Sequence, residues 1–154
     1  MTRLRYEEGG PELFRRVAPL WERLRSHHQG ISVNFQDHFA QMNFPDRKKE
    51  LLGKSRRGNL RIFLAHDLAA KQDTGYAVAT IDKLMTGELD SLYVDDTYRG
   101  KKIGEALTKR ALAWIRKQKP VQTVIYAAVG NERVLDFYRK FEFHPYIIQL
   151  REKA

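Results

Sequence analysis

Between Leu89 and Val129 the chain spells a strand, a short basic loop, a helix and a second strand, and this order constrains the fold more than any other feature. Leu89-Asp90-Ser91-Leu92-Tyr93-Val94 has strand composition, whereas Ile103, Leu107, Ala111 and Trp114 recur at helical spacing through Arg116. After Pro120, Val124 to Val129 is again apolar. A helix between two strands predicts a parallel crossover. The joining loop, Arg99-Gly100-Lys101-Lys102-Ile103-Gly104, sits where the first helical turn leaves backbone N–H groups without partners and the peptide dipoles add partial positive charge. Gly100 and Gly104 let the backbone approach a ligand closely, and Arg99, Lys101 and Lys102 add full charges. Such a loop suits a phosphate, and two better than one; read alone, it is equally a solvated turn capping an amphipathic helix.

The flanking segments fill in a mixed sheet. Thr2 to Tyr6 is a short strand candidate before the Gly9-Gly10-Pro11 break, and Leu13, Val17, Leu20, Trp21 and Leu24 share one face of a helix that Pro19 is expected to kink or shift. Phe35, Phe39 and Met42 mark a second helix. Asp46 is the expected cap of a further turn or two through Leu51-Leu52, with Gly53 as the stop. From Leu60 the period changes: Leu60 to Ala65 and Gly75 to Ile81 read as an antiparallel pair, and a turn at Thr86-Gly87 leads into the strand from Glu88 to Val94. A helix from about Asn131 carries Val134, Phe137, Tyr138 and Phe141 on one face, and Tyr146 to Leu150 is a final strand candidate. The close central turns call for antiparallel neighbours, so the expected fold is α+β with a mostly antiparallel central sheet, one parallel crossover and flanking helices.

The 154 residues, 42% hydrophobic and 31% charged, suit one soluble domain with a substantial core. There is no cysteine, which excludes thiol nucleophiles and thiolate metal sites. Met1 to Glu8 lacks the apolar run of a signal peptide and no segment approaches membrane-spanning length, so a cytoplasmic protein with no membrane partner is expected. The 28 Lys and Arg against 19 Asp and Glu give a net charge of +9, yet the basic residues gather in separate clusters, at Arg47-Lys48-Lys49, Lys54 to Arg57, Arg99 to Lys102 and Arg116 to Lys119, rather than in one stripe. Nucleic acid is therefore not the expected partner; a heavily phosphorylated small cofactor benefits from the same field. The five histidines show no metal-ligand spacing, and no metal is expected.

With these elements in place, Arg99 to Gly104 resembles the pyrophosphate-binding signature of the GNAT superfamily of acetyl-CoA-dependent N-acetyltransferases: Gln or Arg, two residues, Gly, one residue, then Gly or Ala. Arg99 and Gly104 fall on the outer positions, while Lys102 stands at the inner glycine. A second block, Asn131 to Phe143, is similar to the family's later motif, in which an asparagine opens a helix and a tyrosine, here Tyr138, follows seven residues on before a Gly-Phe pair. Glu142 replaces that glycine, and if the backbone there has positive φ it is strained by roughly 1 kcal/mol. The resemblance spans about Leu60 to Leu150. It implies a single GNAT-like domain over 1–154, divided into a mainly helical acceptor-side part, 1–58, and an acetyl-CoA-binding core, 60–150. A homodimer is compatible with it.

The same resemblance implies a reaction: transfer of the acetyl group of acetyl-CoA to a primary amine, by direct attack in a ternary complex. Leu92, Tyr93 and Val94 would pair with the pantetheine arm and offer an N–H to the thioester oxygen, the loop from Arg99 through Gly100, Lys101, Lys102 and Ile103 to Gly104 would hold the pyrophosphate, and Asn131 and Tyr138 would line the cofactor. Tyr138, protonated at neutral pH with an ordinary pKa of about 10, is the candidate acid for a thiolate of about 8.5. Glu88 is the candidate base and Asp90 its competitor. Both side chains share one face in an undistorted strand, and a bulge would alter which one reaches the amine. The acceptor, a small-molecule or peptide amine, is expected between the first two helices, near His27 to Phe35 and His38. The alternatives are a non-catalytic CoA-binding or regulatory domain, in which Lys102 and Glu142 mark departure from turnover, and a basic nucleic-acid-binding protein.

Overall fold

A computed structural model describes residues 2–55 and 59–153; Arg56 and Arg57 of the second basic cluster lie outside them. Five strands, β1 (Leu4–Gly9), β2 (Leu60–Asp67), β3 (Gln72–Ile81), β4 (Thr86–Val94) and β5 (Gln122–Ile125), form one sheet in the order β1-β2-β3-β4-β5. The first three pairings are antiparallel and β4–β5 is parallel, the crossover being carried by α4 (Ile103–Lys117). This is the mixed α+β sheet anticipated from the strand-loop-helix-strand order.

Each face of the sheet buries its own helical layer. On one, α1 (Phe14–Ile31) and α3 (Phe44–Lys54) set Phe14, Val17, Leu20, Trp21, Phe44 and Leu51 against Ile62, Leu64, Tyr76 and Val78. On the other, Ile103, Leu107, Ala111, Leu112 and Ile115 of α4 pack on Phe63, Ala65, Ala77, Ala79 and Leu89, with Tyr138 of α5 (Arg133–Arg139) joining them. The residues of β2 and β3 thus alternate between two apolar layers, which explains why both strands read as continuous apolar runs. Gly87 is where α4 approaches most closely, since a Cβ there would lie 2.5 Å from Ile115 Cγ2.

Several local expectations give way to tertiary context. Pro19 does not interrupt α1, which runs through it to Ile31; the buried Val17, Leu20 and Trp21 on both sides of it anchor the helix across the missing N–H. Asn43, not Asp46, caps α3: its side-chain oxygen accepts the Asp46 N–H at 2.9 Å and its amide donates to the Asp46 carboxylate at 2.9 Å. The exposed Gly53 lies inside that helix. The turn before β4 is Asp82 to Met85, where the Asp82 carboxylate accepts the N–H groups of Leu84 and Thr86, and Thr86-Gly87 already belongs to the strand. The strand after Pro120 stops at Ile125, leaving Tyr126 and Val129 exposed, and Tyr146 to Leu150 forms no strand. Both segments have strand composition but make no ladder with the free edges of β4 and β5, so composition alone did not decide them.

Candidate active site

The cleft follows from a mismatch in strand length. β5 pairs with β4 only from Thr86↔Gln122 to Leu89↔Ile125, and β4 continues alone on that side from Asp90 to Val94. A cavity of about 440 Å³ opens there, with β4 (Leu89 to Leu92) as its floor. Trp21, His28 and Phe39 stand on the wall made by α1 and α2 (Gln36–Gln41), and Ile125, Asn131 and Tyr138 on the wall made by β5 and α5.

At the far end of β4, Gly104 meets both Val94 and Phe137: a Cβ on it would lie 3.6 Å from Val94 Cγ2 and 3.7 Å from Phe137 Cζ. These are ordinary contacts, so alanine fits there. The loop folds tightly before α4, with Gly100 at φ +81° and Lys102 in the left-handed region at φ 61°, ψ 22°. Lys102 is the helix cap residue, and no side chain caps the first-turn N–H groups. Those donors, the helix dipole and the exposed Arg99, Lys101 and Lys102 gather positive charge at the helix start, and Lys102 there holds the left-handed conformation that glycine adopts more readily. Of the carboxylates beside the loop, Asp96 pairs with Arg99 at 2.8 Å, and Glu105 accepts from Lys109 at 3.0 Å, a bond that holds its carboxyl below the usual range. Ile103 is buried in the core and anchors the turn.

Tyr138 lies on the cavity wall, 8% exposed, and burial pushes its hydroxyl well above the ordinary tyrosine range, so it is a protonated donor at neutral pH. Its helix ends in a motif that needs a left-handed residue: the Phe143 N–H bonds to Tyr138 O at 3.2 Å, the Glu142 N–H bonds to Arg139 O at 3.1 Å, and Glu142 sits at φ 65°. The strain expected at Glu142 is therefore present. Asn131 lines the cavity, but its part at the helix start is played by the backbone, its carbonyl accepting from Val134 at 3.1 Å. Leu92 lines the floor. Tyr93 turns the other way, into the layer beneath α1, where it borders a smaller hollow with Arg23, His27 and Asp95.

A bulge in β4 governs the two carboxylates. Val78 pairs with Ser91 and Ala79 with Leu89, so Asp90 is the extra residue. Glu88 and Asp90 both reach Lys54 at the end of α3, at 2.6 and 2.5 Å, and the second Asp90 oxygen accepts from the Thr80 hydroxyl at 2.6 Å. The side chain of Asp90 is 1% exposed and that of Glu88 14%. Burial, reinforced by the Glu88 charge, pushes Asp90 up to about 6 against the pull of Lys54 and Thr80. Burial draws the Lys54 ammonium down, but the two carboxylates outweigh it and its pKa is raised. Asp90 borders the cavity and Glu88 does not. Sequence reasoning saw Lys54 only as part of a basic cluster and not as the partner of these carboxylates, since nothing local ties the end of α3 to a strand more than thirty residues on. It also passed over Arg25 and Arg47, which line the cavity from α1 and α3, although Trp21, Arg25 and His28 recur at helical spacing. Of the histidines proposed near the acceptor, His28 lines the cavity, while His27 belongs to the smaller hollow. Among the described residues no group of His, Asp and Glu is arranged to hold a metal ion.

Comparison with known proteins places the fold. Over its whole length the fold is similar to a solved Bacillus halodurans protein, with a TM-score of 0.72, 17% identity, and coverage of 97% of this chain and 99% of that one. It is also similar to the aminoglycoside N-acetyltransferase AAC(6')-Iy solved with CoA, with a TM-score of 0.68, 13% identity, and coverage of 100% and 97%. An uncharacterized N-acetyltransferase of Methanocaldococcus jannaschii is 27% identical over 66 residues, 43% of this chain and 29% of that protein's length. Residues 21–143 match the model of the acetyltransferase (GNAT) family, a span that takes in α1 from Trp21 onward, the sheet from β2 to β5, the loop from Arg99 to Gly104 and the Tyr138 helix, and the chain therefore belongs to that family.

Proposed function

We propose that the protein transfers the acetyl group of acetyl-CoA to a primary amine held in the cavity. The observation that carries this reading is the separation of β4 from β5 beyond Leu89, beside an uncapped and strongly basic helix start. An extended thiol arm with a pyrophosphate at its far end needs this combination: a free strand edge for its amides and N–H donors for its phosphates. The residues fit the cofactor, since Lys102 already holds the left-handed conformation that turns the loop, and Gly104 carries no side chain between Val94 and Phe137. Bound there, acetyl-CoA supplies an activated acyl group.

The chain's own groups have separate tasks. The loop from Arg99 to Gly104 binds phosphate through backbone N–H groups and charge. The backbone of Leu92 to Val94 orients the acyl carbonyl and donates to oxygen as charge develops on it. Tyr138, protonated and beside the cavity, gives a proton to the departing sulfur. Both oxygens of Asp90 are engaged and its side chain is almost sealed, and Glu88 stands off the cavity, so the ammonium proton leaves through water, which alone can link the amine to Glu88. Mass detection of acetylated product across an amine panel tests the reaction. Tyr138→Phe is expected to lower kcat by about 10²–10⁴-fold with the KM for acetyl-CoA unchanged; full activity in that variant would remove Tyr138 from the proton transfer.

A further inference from the structure

We propose that the acceptor carries, beside its amine, an oxyanion, carboxylate or phosphate, that the guanidinium groups of Arg25 and Arg47 receive. This rests on the cavity being the acceptor site of an acetyltransferase. Three arginines border it, Arg25 from α1, Arg47 from α3 and Arg151 from the C-terminal segment, against a single carboxylate, Asp90. That carboxylate is already neutralised by Lys54 and turned toward Thr80. The carboxylate pair that would favour a polycationic acceptor is thus spent inside the protein, and the surplus charge facing the cavity is positive.

The two inner arginines are held in place without being used up. Arg25 donates Nε to Glu22 at 3.0 Å and Nη1 to Gln29 and to Phe39 O, at 3.0 and 3.3 Å, which leaves Nη2 uncommitted among the described residues. Arg47 donates Nη1 to Glu50 at 3.0 Å and Nη2 to Asp90 O at 3.2 Å, which leaves Nε. Their side chains are 19% and 20% exposed, and their acidic partners, Glu22 and Glu50, are the more exposed members of each pair at 48% and 68%. A guanidinium fixed on one side by a backbone carbonyl and shielded from bulk water is a strong receptor for an oxyanion. Burial lowers the pKa of His28, so it stands among these charges as a neutral ring able to hydrogen-bond the same ligand. These groups lie on the α1–α3 side of β4, across the cavity from Asn131 and Tyr138 and away from the loop assigned to the pyrophosphate, so they are not needed for the cofactor.

The test uses matched amines with the full-length protein: ethanolamine against phosphoethanolamine, alanine amide against alanine, and spermidine as the polycation. Acetylation of the anionic member of a pair, with kcat/KM at least about tenfold above its neutral partner, is expected, and which pair responds separates phosphate from carboxylate. Arg47→Gln and Arg25→Gln should each raise the KM for that acceptor about tenfold to a hundredfold, with the KM for acetyl-CoA and the melting temperature held, and Arg47→Lys should recover part of the loss. Preference for neutral amines or spermidine overturns the proposal while leaving the acetyltransferase reading intact. Acetyl-CoA binding with no acetylated product from any amine overturns both.

Discussion

Replacing Lys54 with methionine isolates the energetics of the carboxylate pair beside the cavity. If Glu88 and Asp90 both stayed ionised, the loss would fall in the range of about 3–5 kcal/mol found when one partner of a buried ion pair is removed. Asp90 has a cheaper route. With its pKa pushed up to about 6, it lies only about 1.4 kcal/mol from its protonated form at pH 7. Adding about 1–2 kcal/mol for the lost, partly exposed Lys54–Glu88 bond gives a penalty of about 2.5–3.5 kcal/mol. At about 2–4 °C per kcal/mol for a chain of this size, Tm falls by roughly 5–14 °C. At pH 5 the wild-type Asp90 is already mostly protonated, so only the Glu88 bond is lost and the penalty shrinks by about 1.4 kcal/mol. The direction follows from the raised folded-state pKa: the stability associated with the Asp90 proton is full below the ordinary aspartate pKa and is lost as pH rises through about 6. Urea denaturation of wild type and Lys54→Met at both pH values measures the difference, in which all other titrations cancel. An equal penalty at both pH values, or a larger one at pH 5, would refute the reasoning.

Three further perturbations probe single features. Lys102→Gly and Glu142→Gly each relieve a left-handed residue, and after the added chain entropy of glycine each is expected to stabilise the fold by no more than about 0.5 kcal/mol in a thermal melt. Thr108 is fully buried on α4 with its hydroxyl unpaired, so Thr108→Val should gain about 1 kcal/mol by urea titration; a loss would mean that the hydroxyl has a partner. Gly87→Ala drives a methyl into Ile115 and should cost about 1–3 kcal/mol in the same titration.

What the sequence revealed depended on whether the determining contacts were local. The crossover, the tight turn before α4 and the Tyr138 helix were legible because periodicity and glycine placement over a dozen residues determine each of them. The left-handed Lys102 and Glu142 were visible as departures from a glycine pattern, and both do occupy that region. The end of β5 and the absence of a strand at Tyr146 to Leu150 depend on whether a ladder forms with a distant edge, which no local pattern states. Asp90 was legible as a competitor to Glu88, but its burial against Lys54 and Thr80 joins three separate elements and required the bulge to be seen in place. Capping of α3 by Asn43 rather than Asp46 was a choice between two good cap residues three positions apart, decided by Pro45 in the first turn.

The sheet keeps its strands in the order in which they occur along the chain. The β2–β3–β4 meander closes over short turns, so its loop-closure cost is small and its contacts form early. The parallel partner β5 joins only after the whole of α4 has been laid down, and through four residue pairs. The cavity therefore opens at the seam between the meander and the strand that joins it last along the chain, through the fewest residue pairs. Breathing at that seam would widen the cavity without disturbing the two apolar layers on either side of the sheet.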